Sequence, residues 1–211
     1  MKNSETLLEV RGLCVDIHGK QLVNNASFRL QRGEHKVIIG PNGAGKTSLL
    51  RALLGGLAVQ SGSIILAGKD ISTLPQAEVA KSLSYVPQLL AAEIPYSVRE
   101  FVGMGRYAHA GSHLDDAVDE ALEAVGVEEF VDRVVSSLSG GERQRVCIAA
   151  ALAQKAPILI LDEPLVHLDP SQRIEVQRVL RELPEEVTIM VVTHDIDWAM
   201  SDFQSILTIK D

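Results

Sequence analysis

The stretch that most constrains this 211-residue chain is Gly40-Pro41-Asn42-Gly43-Ala44-Gly45-Lys46-Thr47. It follows an apolar run, Val37-Ile38-Ile39, and opens into Ser48-Leu49-Leu50-Arg51-Ala52-Leu53-Leu54. A buried strand, a glycine-rich turn and a helix start are the context that a phosphate-binding loop requires. The glycines let the backbone approach a ligand closely. Loop amides and the helix N-terminus together make a concave anion site. In such a loop Lys46 reaches the terminal phosphates and the Thr47 hydroxyl sits on Mg²⁺. An ordinary strand–helix turn has no need of all these positions at once. The pattern predicts binding of a nucleoside triphosphate.

The remaining elements alternate. Residues 7–30 read as β-structure with a turn at Gly19-Lys20, and the helix after the loop runs to a cap at Gly55-Gly56. Ser63 to Gly68 is a strand ending in a Gly-Lys-Asp turn. Thr73-Leu74-Pro75 starts a short helix, and Leu83 to Val86 is a strand stopped by Pro87-Gln88. Ser97-Val98-Arg99-Glu100 has capping-box spacing, and Val118, Ala121, Leu122 and Val125 mark an amphipathic helix over 114–125, closed by Gly126. A helix from Glu142 to Gln154 precedes the buried strand Ile158-Leu159-Ile160-Leu161. Asp169-Pro170 is a good N-cap and first-turn pair for the next helix. Val187 to Val192 is another buried strand, and a helix follows with Ile196, Ala199, Met200 and Phe203 on one face. Ser205 to Ile209 is the final strand. Strands alternating with helices predict an α/β fold with a largely parallel sheet. The middle third, about 89–135, is helix-rich between strand-rich flanks, which suggests an inserted helical subdomain.

Composition removes several classes. With 46% apolar residues a sizeable core is available. Twenty basic against 28 acidic residues give a net charge of −8, which argues against broad nucleic-acid binding. Cys14 and Cys147 lack metal-like spacing and read as two buried thiols in a reducing compartment. The N-terminus lacks a signal-peptide core, and no window reaches the ~18 apolar residues of a membrane span.

Two further stretches carry chemistry. In Ile158 to Pro164 an apolar strand delivers Asp162 and Glu163 to the ligand crevice of an open sheet. Asp162 is placed to hold Mg²⁺ through water, and Glu163 to orient or deprotonate an attacking water. In Leu138-Ser139-Gly140-Gly141-Glu142-Arg143-Gln144-Arg145 a serine and two glycines open a helix with no strand before it. That is a second phosphate-binding end. Two copies of the chain facing head to tail would use both ends on one nucleotide.

On these residues the chain resembles the ATP-binding cassette family, the ATPase subunits of ABC transporters, over nearly its whole length. Gly40 to Thr47, followed by Ser48, matches the Walker A motif, Ile158 to Glu163 the Walker B motif, and Leu138 to Gln144 the family signature. Gln88 matches the Q-loop, Leu168-Asp169 the D-loop, and His194 in Val192-Thr193-His194-Asp195 the switch histidine. The resemblance implies ATP and Mg²⁺ as ligands, with Glu163, His194 and Gln88 in catalysis and Thr47, Gln88 and Asp162 around the metal. It implies nucleotide contacts from Gly40 to Ser48 and, across a dimer, from Ser139, Gly140, Gly141, Glu142 and Asp169. It also implies a P-loop cassette fold over 1–211, whose core (1–88 and 136–211) includes an N-terminal antiparallel β subdomain. His18 stands where the family often has a base-stacking Tyr; imidazole offers less stacking area, and the other reading is a surface-turn histidine. Leu165 replaces the usual Thr after Asp-Glu-Pro. Relatives commonly continue past the last strand, so a short or truncated cassette without a C-terminal regulatory domain is expected.

The implied partners are a second cassette in a homodimer, transmembrane permease subunits and an extracytoplasmic solute-binding protein, with no nucleic acid. The implied place is the cytoplasmic face of the membrane. Asp70 to Leu74, Val98 to Val102 and Met104 to Tyr107 resemble cassettes of importers for iron chelates, haem and cobalamin, with zinc or manganese importers next. A soluble cassette of translation or DNA maintenance would carry two cassettes or a long coiled coil, and this chain shows neither. A module that holds ATP without hydrolysing it would not need Asp162, Glu163 and His194. A small-molecule kinase has no use for Leu138 to Arg145. His109 and His113 at i, i+4 read as loop histidines, Gly103-Met104-Gly105 follows a helix rather than a strand, and Trp198 reads as core.

Overall fold

The computed structural model describes residues 5–17, 19–88, 93–109 and 114–209. His18, His113 and the start of the looser segment, 89–92, lie outside them. β1 (Thr6–Ile17), β2 (Lys20–Gln31), β4 (Ser61–Leu66) and β5 (Lys69–Asp70) form an antiparallel sheet in the order β2-β1-β4-β5. β3 (His35–Ile39), β6 (Leu83–Val86), β7 (Ile158–Asp162), β8 (Thr188–Thr193) and β9 (Ser205–Thr208) form a second sheet, ordered β6-β7-β8-β3-β9, with every neighbouring pair parallel. The helices are α1 (Lys46–Leu53), α2 (Gln76–Ser82), α3 (Val98–Met104), α4 (Leu114–Val125), α5 (Gly140–Ala153), α6 (Pro170–Glu182) and α7 (Ile196–Asp202).

Why the parallel strands read as unbroken apolar runs is visible in how their residues divide. Ile38, Ile160, Met190 and Val192 face a core shared with Leu49, Leu50 and Leu53 of α1 and with Leu8, Leu13 and Leu66 of the antiparallel sheet. Their neighbours Val37, Leu159, Leu161, Ile189 and Val191 face a second core. That core is closed by Val102 of α3, Leu122 of α4, Ile148 of α5, Val176 of α6 and Trp198 of α7. A strand covered on both faces has no position for a polar alternation. α1 is thereby clamped between the two sheets, and α3 and α4 pack against α5.

Caps fix the helix starts. Ser97 accepts from the Glu100 amide while the Glu100 carboxylate takes the Ser97 amide, the reciprocal pair that its spacing predicts. Four sequence expectations shift. Lys69 and Asp70 are a strand rather than a turn: Ala67 and Gly68, at φ 47° and 79°, make the two-residue hairpin loop and return the chain onto β4. α5 begins at Gly140, one residue after its cap, not at Glu142. On α7 the buried residues are Trp198 and Ala199, while Ile196 and Met200 are 61% and 67% exposed, so only part of the expected face is core. Cys147 is buried as expected, but Cys14 is only part-buried.

Because β6, β7, β8 and β3 are adjacent and parallel, their C-terminal ends meet at one edge of the sheet.

Candidate functional site

At that edge the loop between β3 and α1 is set by Gly45. Its φ is 84°, and a Cβ there would lie 1.8 Å from the Leu22 carbonyl oxygen, so β2 closes on the loop only because the residue is glycine. Lys46 follows as the first residue of α1. Its ammonium donates to the carbonyls of Gly40 (2.7 Å) and Pro41 (3.0 Å) and lies 3.8 Å from Glu163 Oε1. Asn42, Gly43, Gly45, Lys46, Thr47 and Ser48 line one cleft, and Ala44 faces the neighbouring groove beside β2 and β9.

The end of β7 carries the two carboxylates. Asp162 is 3% exposed, and burial raises its pKa above the ordinary carboxylate value, against the hydrogen bond that Tyr85 Oη donates to Oδ2 at 3.2 Å. The same burial, with Asp162 beside it, pushes the Tyr85 phenol up to about 12. Glu163 follows in a left-handed conformation (φ 49°), which costs a non-glycine residue about 1–2 kcal/mol. The bond from its amide to the Val192 carbonyl, 2.8 Å, holds it there. The turn aims its carboxylate at the end of β8, where Oε2 meets His194 Nδ1 at 2.9 Å. Facing a carboxylate, which accepts, Nδ1 is the donor in this contact. His194 itself is exposed.

Gln88, just past β6, joins Thr47, Asp162, Glu163 and His194 in the same cleft of about 350 Å³. The donor set fits the two implied ligands. A loop of amides with one buried lysine suits a polyphosphate. A hydroxyl, an amide oxygen and one buried carboxylate are the hard oxygen donors Mg²⁺ takes when phosphates complete its shell. Among the described residues, no three His, Cys, Asp or Glu side chains gather as a metal cage.

Ser139, Gly140, Gly141, Glu142 and Asp169 do not line this cleft. Ser139 caps α5, accepting from the Glu142 amide at 3.4 Å, while Glu142 Oε2 takes the Ser139 amide at 2.7 Å and is held below its usual pKa by that bond. Asp169 caps α6 through the Gln172 amide at 2.9 Å, which holds its carboxyl low. The two helix starts touch: a Cβ on Gly141 would come within 2.8 Å of Gln172 Cγ, so the second glycine is needed for close approach. The sequence motifs therefore fall into two groups, one gathered in the cleft and one on the α5–α6 face.

Three residues here escape motif reading. Leu22 and Gln172 act through contacts distant in sequence, for which spacing gives no signal. Tyr85 stands beside Pro87-Gln88 as an ordinary strand aromatic, and only the β6–β7 register brings it to Asp162.

Comparison with known proteins gives a consistent result. The family model described as ABC transporter matches residues 23–166. The cobalamin import ATP-binding protein BtuD of Halobacterium salinarum is 38% identical over 210 residues, covering 97% of this chain and 53% of that protein. The chain thus spans about half the length of that relative. The probable siderophore transport system ATP-binding protein YusV of Bacillus subtilis is 39% identical over 198 residues, covering 90% of this chain and 72% of that one. Among solved structures, cbiO1 from Clostridium perfringens, part of the ABC transporter complex cbiONQ, superposes with a TM-score of 0.85 at 29% identity, covering 97% of this chain and 85% of that one.

Proposed function

This chain belongs to the ABC transporter family, and we propose that it is the energy-coupling ATPase subunit of an importer. The observation that carries the reading is the meeting of Lys46, Thr47, Gln88, Asp162, Glu163 and His194 in one cleft. The Glu163–His194 contact of 2.9 Å completes it.

The loop amides and Lys46 bind the triphosphate of ATP and place its terminal phosphorus beside Glu163. Thr47, Gln88 and Asp162 would hold Mg²⁺, which when bound neutralises charge on the phosphate oxygens. Glu163 orients a water and takes one of its protons as the water oxygen attacks the γ-phosphorus; the bond to the β–γ bridging oxygen breaks, giving ADP and phosphate. His194 fixes the Glu163 carboxylate through Nδ1.

The second group of motifs gives the partner. Ser139 to Glu142 and Asp169 lie off the cleft, so the reading assigns them to the nucleotide of a second cassette, in a head-to-tail homodimer. Closure of the two cassettes draws the helical segment, about 89–135, with it and moves permease subunits docked there. An extracytoplasmic solute-binding protein would complete the complex. The chain would then work on the cytoplasmic face of the membrane; no helix among the described residues is long and apolar enough to cross one. Relatives named for cobalamin import and siderophore transport support a metal-chelate solute, such as an iron chelate, haem or cobalamin.

Glu163→Gln tests the proposal. It should retain ATP binding and lose turnover by about 10²–10⁴-fold, the range for removing a general base. Cells carrying it should fail to accumulate labelled cobalamin or ferric siderophore. Phosphate release at the parent rate would remove Glu163 from the mechanism.

A further inference from the structure

We infer that Tyr85 is a positioning residue that holds the Asp162 carboxylate for a divalent cation and ties it to the strand leading to Gln88. The inference rests on the nucleotide-site reading above and adds a residue to it.

The sheet explains how the contact arises. Tyr85 pairs with Ile160, and Asp162 lies two residues further along β7 on the same face. Two residues of strand rise about 6.6 Å, and strand side chains lean along the strand. A tyrosine ring with its hydroxyl spans that rise; phenylalanine stops short of it by the one polar atom that matters. Tyr85 packs among the residues on the α1 side of the parallel sheet, so its ring has little freedom to turn away. Its hydroxyl ends 3.2 Å from Asp162 Oδ2.

The contact also answers a requirement. A carboxylate 97% buried is costly unless it is hydrogen-bonded, and among the described residues Tyr85 is the side chain that donates to it. Asp162 lines the cleft with Thr47 and Gln88. With Oδ2 engaged by Tyr85, the carboxylate is held in one rotamer, with Oδ1 left for a cation or its water. Since β6 runs directly into Gln88, the same bond sets the spacing between the two ends of β6 and β7 from which cation ligands come. Groups that orient metal ligands in this way typically contribute 10–100-fold to metal affinity.

Tyr85→Phe is made in the Glu163→Gln background, so that nucleotide is bound without turnover. Affinity for a fluorescent ATP analogue is measured with Mg²⁺ and again with EDTA, alongside the unfolding midpoint. The ratio of the two affinities should fall about tenfold. The EDTA value should stay at the parent's, while the midpoint falls somewhat, because the buried Asp162 carboxylate loses its side-chain donor. In an Asp162→Ala background the same substitution should change nothing further, since its target is gone. An unchanged ratio, or an equal loss with EDTA present, overturns the inference and makes Tyr85 a packing residue. Parent protein that binds no nucleotide under either condition sinks the functional reading itself, and the role of Tyr85 with it.

Discussion

At Gly45 the constraint is steric before it is chemical. The residue sits at φ 84° with the Leu22 carbonyl 1.8 Å from where a side chain would begin. Gly45→Ala must therefore move β2 off the loop or unwind the first turn of α1. Either outcome opens the clamp around Leu49, Leu50 and Leu53. A loss of more than about 2 kcal/mol in denaturant unfolding is expected, the scale of a backbone clash in a packed region. Nucleotide affinity should fall with it. A variant with the parent's midpoint and affinity would mean that the close approach of β2 is not a constraint. The glycine was legible in the sequence as part of a phosphate loop, but the reason it cannot be replaced was not. That reason is a carbonyl 23 positions upstream, and local spacing carries no record of which strand will lie against which loop. Tyr85 and Asp162 are the same case, joined only by strand register. Asp162, Glu163 and His194 were legible because each follows an apolar run that has to be a buried parallel strand, and such strands end at one crevice.

Among the elements, the antiparallel sheet carries a charge cluster that gives it a pH signature. Glu9 on β1 accepts from Arg11 at 2.6 Å and from Arg29, its cross-strand partner on β2, at 2.7 Å. The two guanidinium groups, Arg11 first, bring its carboxyl down from 4.5 to about 2. A depressed carboxyl binds fewer protons folded than unfolded, so stability rises with pH through the window between the two values. The contribution is fully present above about 4.5 and gone below about 2. Glu9→Gln should therefore lower the unfolding midpoint at neutral pH, and the gap from the parent should close as pH falls through that window. A gap that stays constant with pH would show that the loss is one of packing rather than charge. Apart from β5, where Lys69 and Asp70 read as a turn, element types were legible in this sheet and the next, since caps and periodicity are local. The misplaced details were those decided by neighbours. Ile196 and Met200 have helical spacing for a buried face, yet α7 has seven residues and turns Trp198 inward instead. The Trp198 indole donates to Asp202, which also holds Arg181 of α6, and that polar anchor fixes the rotation of the helix.

For the whole molecule the decisive question is whether one site belongs to one chain. In the cleft the loop lysine and the two carboxylates stand together, while Ser139 caps a helix elsewhere. If Ser139 serves the nucleotide of a second copy, two inactive variants should repair each other. Lys46→Ala removes the phosphate charge partner. Ser139→Asp keeps the N-cap, for which Asp is as good as Ser, but sets a negative charge against the phosphate. Each variant alone should hydrolyse no ATP. In a mixed head-to-tail dimer one site receives both substitutions and the other receives neither. Equal mixing makes half of the dimers mixed, so at most about a quarter of the sites are intact, and activity should reappear up to that fraction. Were each site built within one chain, every site in the mixture would carry one substitution and no activity would return. Steady-state phosphate release from the mixture, against each variant alone at the same total concentration, separates the two arrangements.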